Sequence, residues 1–267
     1  MMGMYKFTDK ANLLLGLVFL VGILCISYSF FWGIVPLSLM MIFIYLKKGN
    51  RKLIATVSAF LIGFLLYRAA ALFLTQLLDG DEARILFNRI LLLFIIFCLM
   101  INSRFFKHRF HYLHKPDWHA TIYFPFIWSG FHSLQIKYFL IMAMLINSIV
   151  FIPFIIKHDF NTLKGLLLFA IGFSLINAIL EEIIWRGYLL SQLKDSVDDY
   201  FALIITSIGF GLQHISIGIP LIPAILFSFG GIFFAGIVMR SKSLIPSIIW
   251  HFLINLGMVF SGFIFRI

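Results

Sequence analysis

The chain has 267 residues, of which 62% are hydrophobic and 12% charged, and it carries a formal net charge of +10. Soluble domains draw roughly a quarter of their residues from Asp, Glu, Lys and Arg, so this composition excludes water as the main solvent. The cations lie in short clusters between apolar runs. The excess of Lys and Arg on the cytoplasmic side of a membrane accounts for that pattern without a nucleic-acid partner.

Apolar runs long enough to cross roughly 30 Å of hydrocarbon recur along the whole chain. They predict an all-α polytopic membrane helix bundle of eight or nine transmembrane segments, forming one integral membrane domain over 1–267. Within it, variable N-terminal helices are expected over 1–160 and the helices that carry the functional residues over 161–267. The run over 11–46 contains Trp32, Gly33 and Pro36, which favours two short helices joined by a turn. It is too long for a secretory signal and no small-residue cleavage site follows it, so no cleaved signal peptide is expected. Lys47, Lys48, Arg51 and Lys52 mark a cytoplasmic loop, 53–78 is a span, and Asp79, Asp81 and Glu82 form a turn on the opposite side. The run 85–101 returns to the cytoplasm, where Arg104, Lys107, Arg109 and Lys115 lie among histidines at the headgroup surface. The stretch 120–131 is expected to be interfacial or re-entrant, and further spans cover 134–156, 165–190, 201–214, 221–239 and 244–263. Cys25 and Cys98 sit inside apolar runs, where a thiol is a small packing residue.

Ionisable side chains are costly at membrane depth, about 2.5 to 3.5 kcal/mol each on the insertion scale, so they mark function. The last third of the chain concentrates Glu181, Glu182, Arg186, His214, His251 and Asn255 in apolar helices. Adjacent glutamates on a helix point about 100° apart and are expected to take separate roles. Glu182 and Arg186 are i,i+4 neighbours and are expected to pair, which leaves Glu181 without a local cation. A carboxylate in that situation suits a general base. His251 and Asn255 are also i,i+4 and share a helix face, placing a pair of donors where an oxyanion can bind. His214 follows Gly209 and Gly211, which allow close helix approach. By a rise of about 1.5 Å per residue, Glu181, His251 and Asn255 lie roughly 10 to 16 Å below the cytoplasmic surface. His214 comes out deeper, so a helix break at Gly209 or Gly211 is expected to bring it level.

These residues carry a family resemblance. Glu181-Glu182-x-x-x-Arg186, Phe210-x-x-x-His214 and Ser243-Leu-Ile-Pro246-Ser-Ile-Ile-Trp-His251-x-x-x-Asn255 resemble, in order and spacing, the three motifs of the CAAX-protease and bacteriocin-processing (CPBP/Abi) family of glutamate intramembrane proteases. The resemblance covers 173–262, while the first half of the chain is matched only by hydropathy. It implies that Glu181 and His214 activate a water, that His251 and Asn255 form the oxyanion hole, and that Glu182 and Arg186 hold the architecture. It further implies an endopeptidase for peptide or lipidated-peptide substrates, without a cofactor, in membrane lipid. Eukaryotic members act on prenylated C-terminal peptides, and bacterial members are linked to peptide export, bacteriocin immunity and signalling peptides. The Phe, Ile and Lys usage points to a bacterial cell membrane.

Other chemistries are weaker fits. Glu181, His214 and His251 are residue types that bind zinc, which makes a zinc-dependent intramembrane protease an alternative, although no His-Glu-x-x-His occurs. His108, His111 and His114 recur every three residues, and lipid phosphates explain them more simply than a metal does. Gly172-Phe173-Ser174-Leu175 is similar to the serine motif of rhomboid proteases, but Ser174 is expected to bond back to its own helix. Gly80-Asp81 lacks the second aspartate that an aspartyl mechanism needs. A non-enzymatic immunity or scaffold protein that retains the motifs is the competing functional class.

Overall fold

The computed structural model describes residues 10–46, 50–125 and 127–264, so Lys47 and Lys48 of the expected cytoplasmic loop lie outside the described residues. Seven helical runs among the described residues are long and apolar enough to cross a membrane: Lys10–Ser27, Arg51–Leu77, Asp81–Phe106, Ile136–Ile155, Leu167–Lys194, Asp199–Ile217 and Leu221–Ser241. Two shorter apolar helices, Phe31–Leu46 and Ile245–Phe260, accompany them. The chain is a multi-pass integral membrane protein, and its exposed surface agrees with hydrocarbon as the solvent: Leu168 is 86% exposed and Phe105 80%.

The helices are α1 (Lys10–Ser27), α2 (Ile34–Leu46), α3 (Arg51–Leu77), α4 (Asp81–Ile90), α5 (Leu93–Phe106), α6 (Ile136–Ile155), α7 (Phe160–Gly165), α8 (Leu167–Glu182), α9 (Ser191–Lys194), α10 (Asp199–Gln213), α11 (Leu221–Ser241) and α12 (Ile245–Phe260). The turn expected inside 11–46 separates α1 from α2. Ile183–Leu190 between α8 and α9 is π-helical. The stretch expected to be interfacial takes the form of an antiparallel hairpin, β1 (Thr121–Pro125) and β2 (Gly130–Gln135), with Thr121 opposite Gln135 and Phe124 opposite His132. Its alternation is too short to stand out against the aromatic content around it.

The chain folds as two compact units, each taking residues from both sides of position 160. The first comprises Met1–Ala69, Phe94–His111 and Ile184–Ala235. Its centre is aromatic: Phe60 packs against Phe19 and Trp185 with ring centroids 5.1 Å apart in each case. A buried amide and hydroxyl network ties three helices together. Asn102 of α5 donates to Gln192 of α9 at 2.7 Å and to Thr56 of α3 at 3.2 Å, and Gln192 donates to the Leu99 carbonyl at 3.2 Å. Each polar group thereby finds a partner where no water can reach it.

In the same unit α10 runs through Gly209 and Gly211 without a break, and a 3-10 turn follows at His214–Ile217. The change of helix type is therefore at His214 itself. The glycine at 211 serves contact, since a Cβ there would lie 2.1 Å from Ser228 Oγ and 2.3 Å from the Ala224 carbonyl oxygen of α11. Gly218, with φ of 92°, ends the turn, and Arg68 of α3 donates to the Ser216 carbonyl at 2.6 Å.

The second unit comprises Ala70–Leu93, Tyr112–Ile183 and Gly236–Ile267. In it α12 packs against α8 and α6, and α4 packs against α8. Phe169, Ala170 and Phe173 of α8 meet Val259 of α12 in a buried cluster, with Ile85 and Leu86 of α4 against it. A Cβ at Gly257 would lie 2.2 Å from the Phe151 ring, so the close approach of α12 and α6 requires glycine there. The hairpin is fastened by Arg240, whose Nε donates to the Thr121 carbonyl at 2.5 Å.

At the polar end of the first unit, Asp195 receives two rings, His111 Nε2 at 2.7 Å and His108 Nδ1 at 3.2 Å. Burial pushes His108 below its ordinary 6.5, against the opposing pull of Asp195. Burial raises Asp195, but the hydrogen bonds from His111 and His108 outweigh it and hold the carboxyl below its ordinary 3.8. Both groups bind protons more weakly folded than unfolded, so acid weakens this contact. The His108 contribution fades as pH falls below 6.5, and the Asp195 contribution as pH falls through its folded value below 3.8. Amide hydrogen exchange over 107–111, corrected for the intrinsic rate, is expected to lose protection across that range. Protection that stays flat would show that the contact does not hold the segment.

Candidate active site

Glu181 and Glu182 close the C-terminal end of α8, and both are fully buried. The helix α12 opposite begins with Pro246 in its first turn, where a missing backbone donor costs nothing. From it Ser247, His251 and Asn255 project at four-residue spacing, all three buried. This polar stripe faces the glutamates because α8 and α12 pack against each other within one unit.

Ser247 donates its hydroxyl to Glu182 Oε2 at 2.5 Å, and His251 Nδ1 lies 3.0 Å from Glu182 Oε1. On the other edge of the ring, His251 Nε2 is 3.6 Å from Glu181 Oε2. One imidazole therefore stands between two carboxylates. The angular offset of adjacent helix residues, expected to separate the two glutamates, is what lets them flank opposite edges of one ring. Because a carboxylate only accepts, the Nδ1–H of His251 donates to Glu182.

Glu181 has a cation beside it, contrary to the expectation. Arg89 Nη1 lies 3.4 Å from Glu181 Oε1 and donates to Asn177 Oδ1 at 3.2 Å, and Arg89 Nη2 donates to Asn88 Oδ1 at 3.2 Å. Spacing along one helix does not reveal this cation, because Arg89 lies on α4, far away in sequence. The signal was available: an arginine inside an apolar span is conspicuous for the same reason as the glutamates. Asn177 and Ser247 were also missed, though each stands one helical turn before a singled-out residue, Asn177 before Glu181 and Ser247 before His251.

Asn255 is 4% exposed, and its side-chain Nδ2 is buried with no hydrogen-bond partner among the described residues. An amide donor without an acceptor is expensive in an apolar interior, which makes it a conspicuous group. Ser174, expected to bond back to its own helix, is also fully buried and its Oγ makes no hydrogen bond among the described residues.

Arg186 and His214 belong to the first unit, whereas the glutamates belong to the second. Arg186 donates to the Gly231 carbonyl at 3.1 Å, with its guanidinium 4.4 Å from the centroid of Phe210 and 5.2 Å from that of Phe234. Arg186 lies within the π-helical stretch Ile183–Leu190, a wider spiral than the α-helix. His214 Nδ1 donates to the Phe210 carbonyl at 2.7 Å, which puts the lone pair of the neutral ring on Nε2. Its ring packs against Phe227 with centroids 4.6 Å apart. No group of three or more His, Cys, Asp and Glu side chains among the described residues is arranged to hold a metal ion.

Glu182 takes two donors from α12, so losing its charge weakens the contact between the helices. Glu182→Gln and Ser247→Ala are each expected to cost about 1.5 to 3 kcal/mol, the range for a hydrogen bond to a charged group, measured as a lower unfolding midpoint in detergent. An unchanged midpoint in both variants would show that this contact does not join α8 to α12.

No curated protein and no solved structure matches the chain. A family model does, over residues 163–257, the stretch that holds Glu181, Glu182, Arg186, His214, His251 and Asn255. That segment carries the sequence pattern of the Rce1-like type II CAAX prenyl endopeptidases, within the CAAX-protease and bacteriocin-processing family that the motifs resemble.

Proposed function

We propose that the chain is an intramembrane endopeptidase in which Glu181 acts as general base on a water molecule, with no covalent intermediate. The observation that carries this reading is the combination, within one unit, of a fully buried Glu181 beside His251 with the buried, unaccepted Nδ2–H of Asn255. A base and a donor for developing negative charge are the two elements that water-mediated acyl transfer requires.

Glu181 takes a proton from water, and the oxygen of the resulting hydroxide bonds to the scissile carbonyl carbon. Negative charge moves to the carbonyl oxygen, where Asn255 Nδ2–H donates to it. His251 already gives its Nδ1–H to Glu182, so it donates to the same oxygen only when Nε2 also carries a proton. The tetrahedral centre then collapses, the C–N bond breaks, and the proton on Glu181 passes to the leaving nitrogen. The resemblance adds His214 to water activation and leaves Glu182 and Arg186 as supports. The family description suggests a prenylated peptide ending in CAAX as the substrate class, and the composition favours a bacterial membrane.

The assay is cleavage of an internally quenched farnesylated CAAX peptide by purified protein in detergent. Glu181→Gln is expected to fold and be inactive, and Asn255→Ala to lower kcat by about 10² to 10³ at little changed KM, the usual loss for one oxyanion donor. Activity retained in Glu181→Gln overturns the base assignment, and normal turnover in Asn255→Ala overturns the oxyanion role.

A separate measurement addresses zinc. Activity is expected to survive exhaustive chelation, because the carboxylate mechanism uses no ion. Loss of activity that zinc alone restores would establish the metalloprotease alternative.

A further inference from the structure

Arg89 lies outside all three motifs. It stands on α4, inside a helical run apolar enough to cross a membrane, and it is 7% exposed. A guanidinium in that position is costly and needs acceptors. Asn177 and Glu181 supply them from one face of α8, and Nη1 reaches both, at 3.2 and 3.4 Å. Asn88 on α4 holds Nη2 at 3.2 Å. The guanidinium plane is thus fixed from its own helix and from the helix that carries the base.

This arrangement makes the two oxygens of Glu181 unequal. Oε1 faces Arg89, and Oε2 faces His251 Nε2 at 3.6 Å. Rotation about the last side-chain bond of a free glutamate exchanges its oxygens, since that torsion is broad and roughly two-fold. A guanidinium held by Asn177 and Asn88 that sets its Nη1 against one oxygen opposes this exchange. We propose that Arg89 is a positioning residue: it pins Oε1 of Glu181 so that Oε2, on the His251 side, is the oxygen that takes the proton from water. The inference rests on the reading of Glu181 as general base.

A purely structural arginine would only neutralise buried charge; turnover separates that role from positioning, and a second measurement tests the contact itself. With the quenched farnesylated CAAX peptide, Arg89→Gln is expected to lower kcat about 10²-fold at little changed KM, the loss typical of a misplaced reacting group. Arg89→Lys, which keeps the charge and loses the guanidinium plane that Asn177 and Asn88 fix, is expected to recover no more than a tenth of the native kcat. Full recovery with lysine, or native kcat in Arg89→Gln while Glu181→Gln is inactive, overturns the positioning role and leaves the base assignment intact. Activity in Glu181→Gln overturns the base assignment itself. The second measurement does not depend on turnover: the shifts in unfolding midpoint of Arg89→Gln and Glu181→Gln in detergent should be non-additive in the double variant. Additive shifts would show that the two side chains do not act on each other and would overturn the proposal.

Discussion

The arrangement of the second unit depends on how two adjacent carboxylates are buried at the end of α8. Neither can be left without compensation in a medium that cannot hydrate it, and both are fully buried. Their partners arrive from two directions: Ser247 and His251 of α12 on Glu182, Arg89 of α4 on Glu181. The same interactions dictate which helices must be neighbours. α12 lies against α8 because its polar stripe satisfies Glu182, and α4 lies there because its arginine and the amide of Asn177 need each other as much as Glu181 needs a cation. In hydrocarbon the apolar faces of helices gain little from meeting one another, so polar pairs and close backbone contacts carry the specificity. The contact at Gly257 and the network of Thr56, Asn102 and Gln192 follow the same rule.

Much of the helical layout was legible in the sequence, because a membrane span declares itself by length and hydropathy. The runs 53–78, 134–156 and 221–239 correspond to α3, α6 and α11 within a few residues. The division of 11–46 was also legible, since Gly33 and Pro36 interrupt the run. The two irregular helical turns were not. Nothing in Ile183–Leu190 distinguishes a π-helix from an α-helix, because a widened turn answers to what packs around it more than to local propensity. The 3-10 turn at His214 was looked for at the glycines, where a break costs least, but those glycines are occupied with helix contact.

The candidate site divides along the same line. Residues that share one helix face, such as His251 and Asn255, can be read from spacing alone. Pairings across helices cannot, and both the cation on Glu181 and the hydrogen bonds on Glu182 are of that kind. The expectation of an isolated Glu181 failed because it took the nearest cation in sequence for the nearest in space. Arg89 also has its own mark in the sequence, as a charge inside an apolar span, so a search over every such residue in the chain would have found it.

The contrast between the supported and the unsupported polar groups points to chemistry. Glu182 accepts from Ser247 and His251, and Arg89 donates to Asn177 on α8 and Asn88 on α4. Asn255 stands on the same stripe of α12 as Ser247 and His251, yet its amide donor has no acceptor among the described residues. A buried amide donor left bare costs stability, which an apolar side chain of similar shape would not. Under the proposed reaction this donor, one turn from an imidazole that stands between two carboxylates, meets its acceptor only as the substrate reacts. Preorganisation of this kind is effective because the donor is already desolvated and oriented when the charge develops, so little reorganisation remains for the transition state.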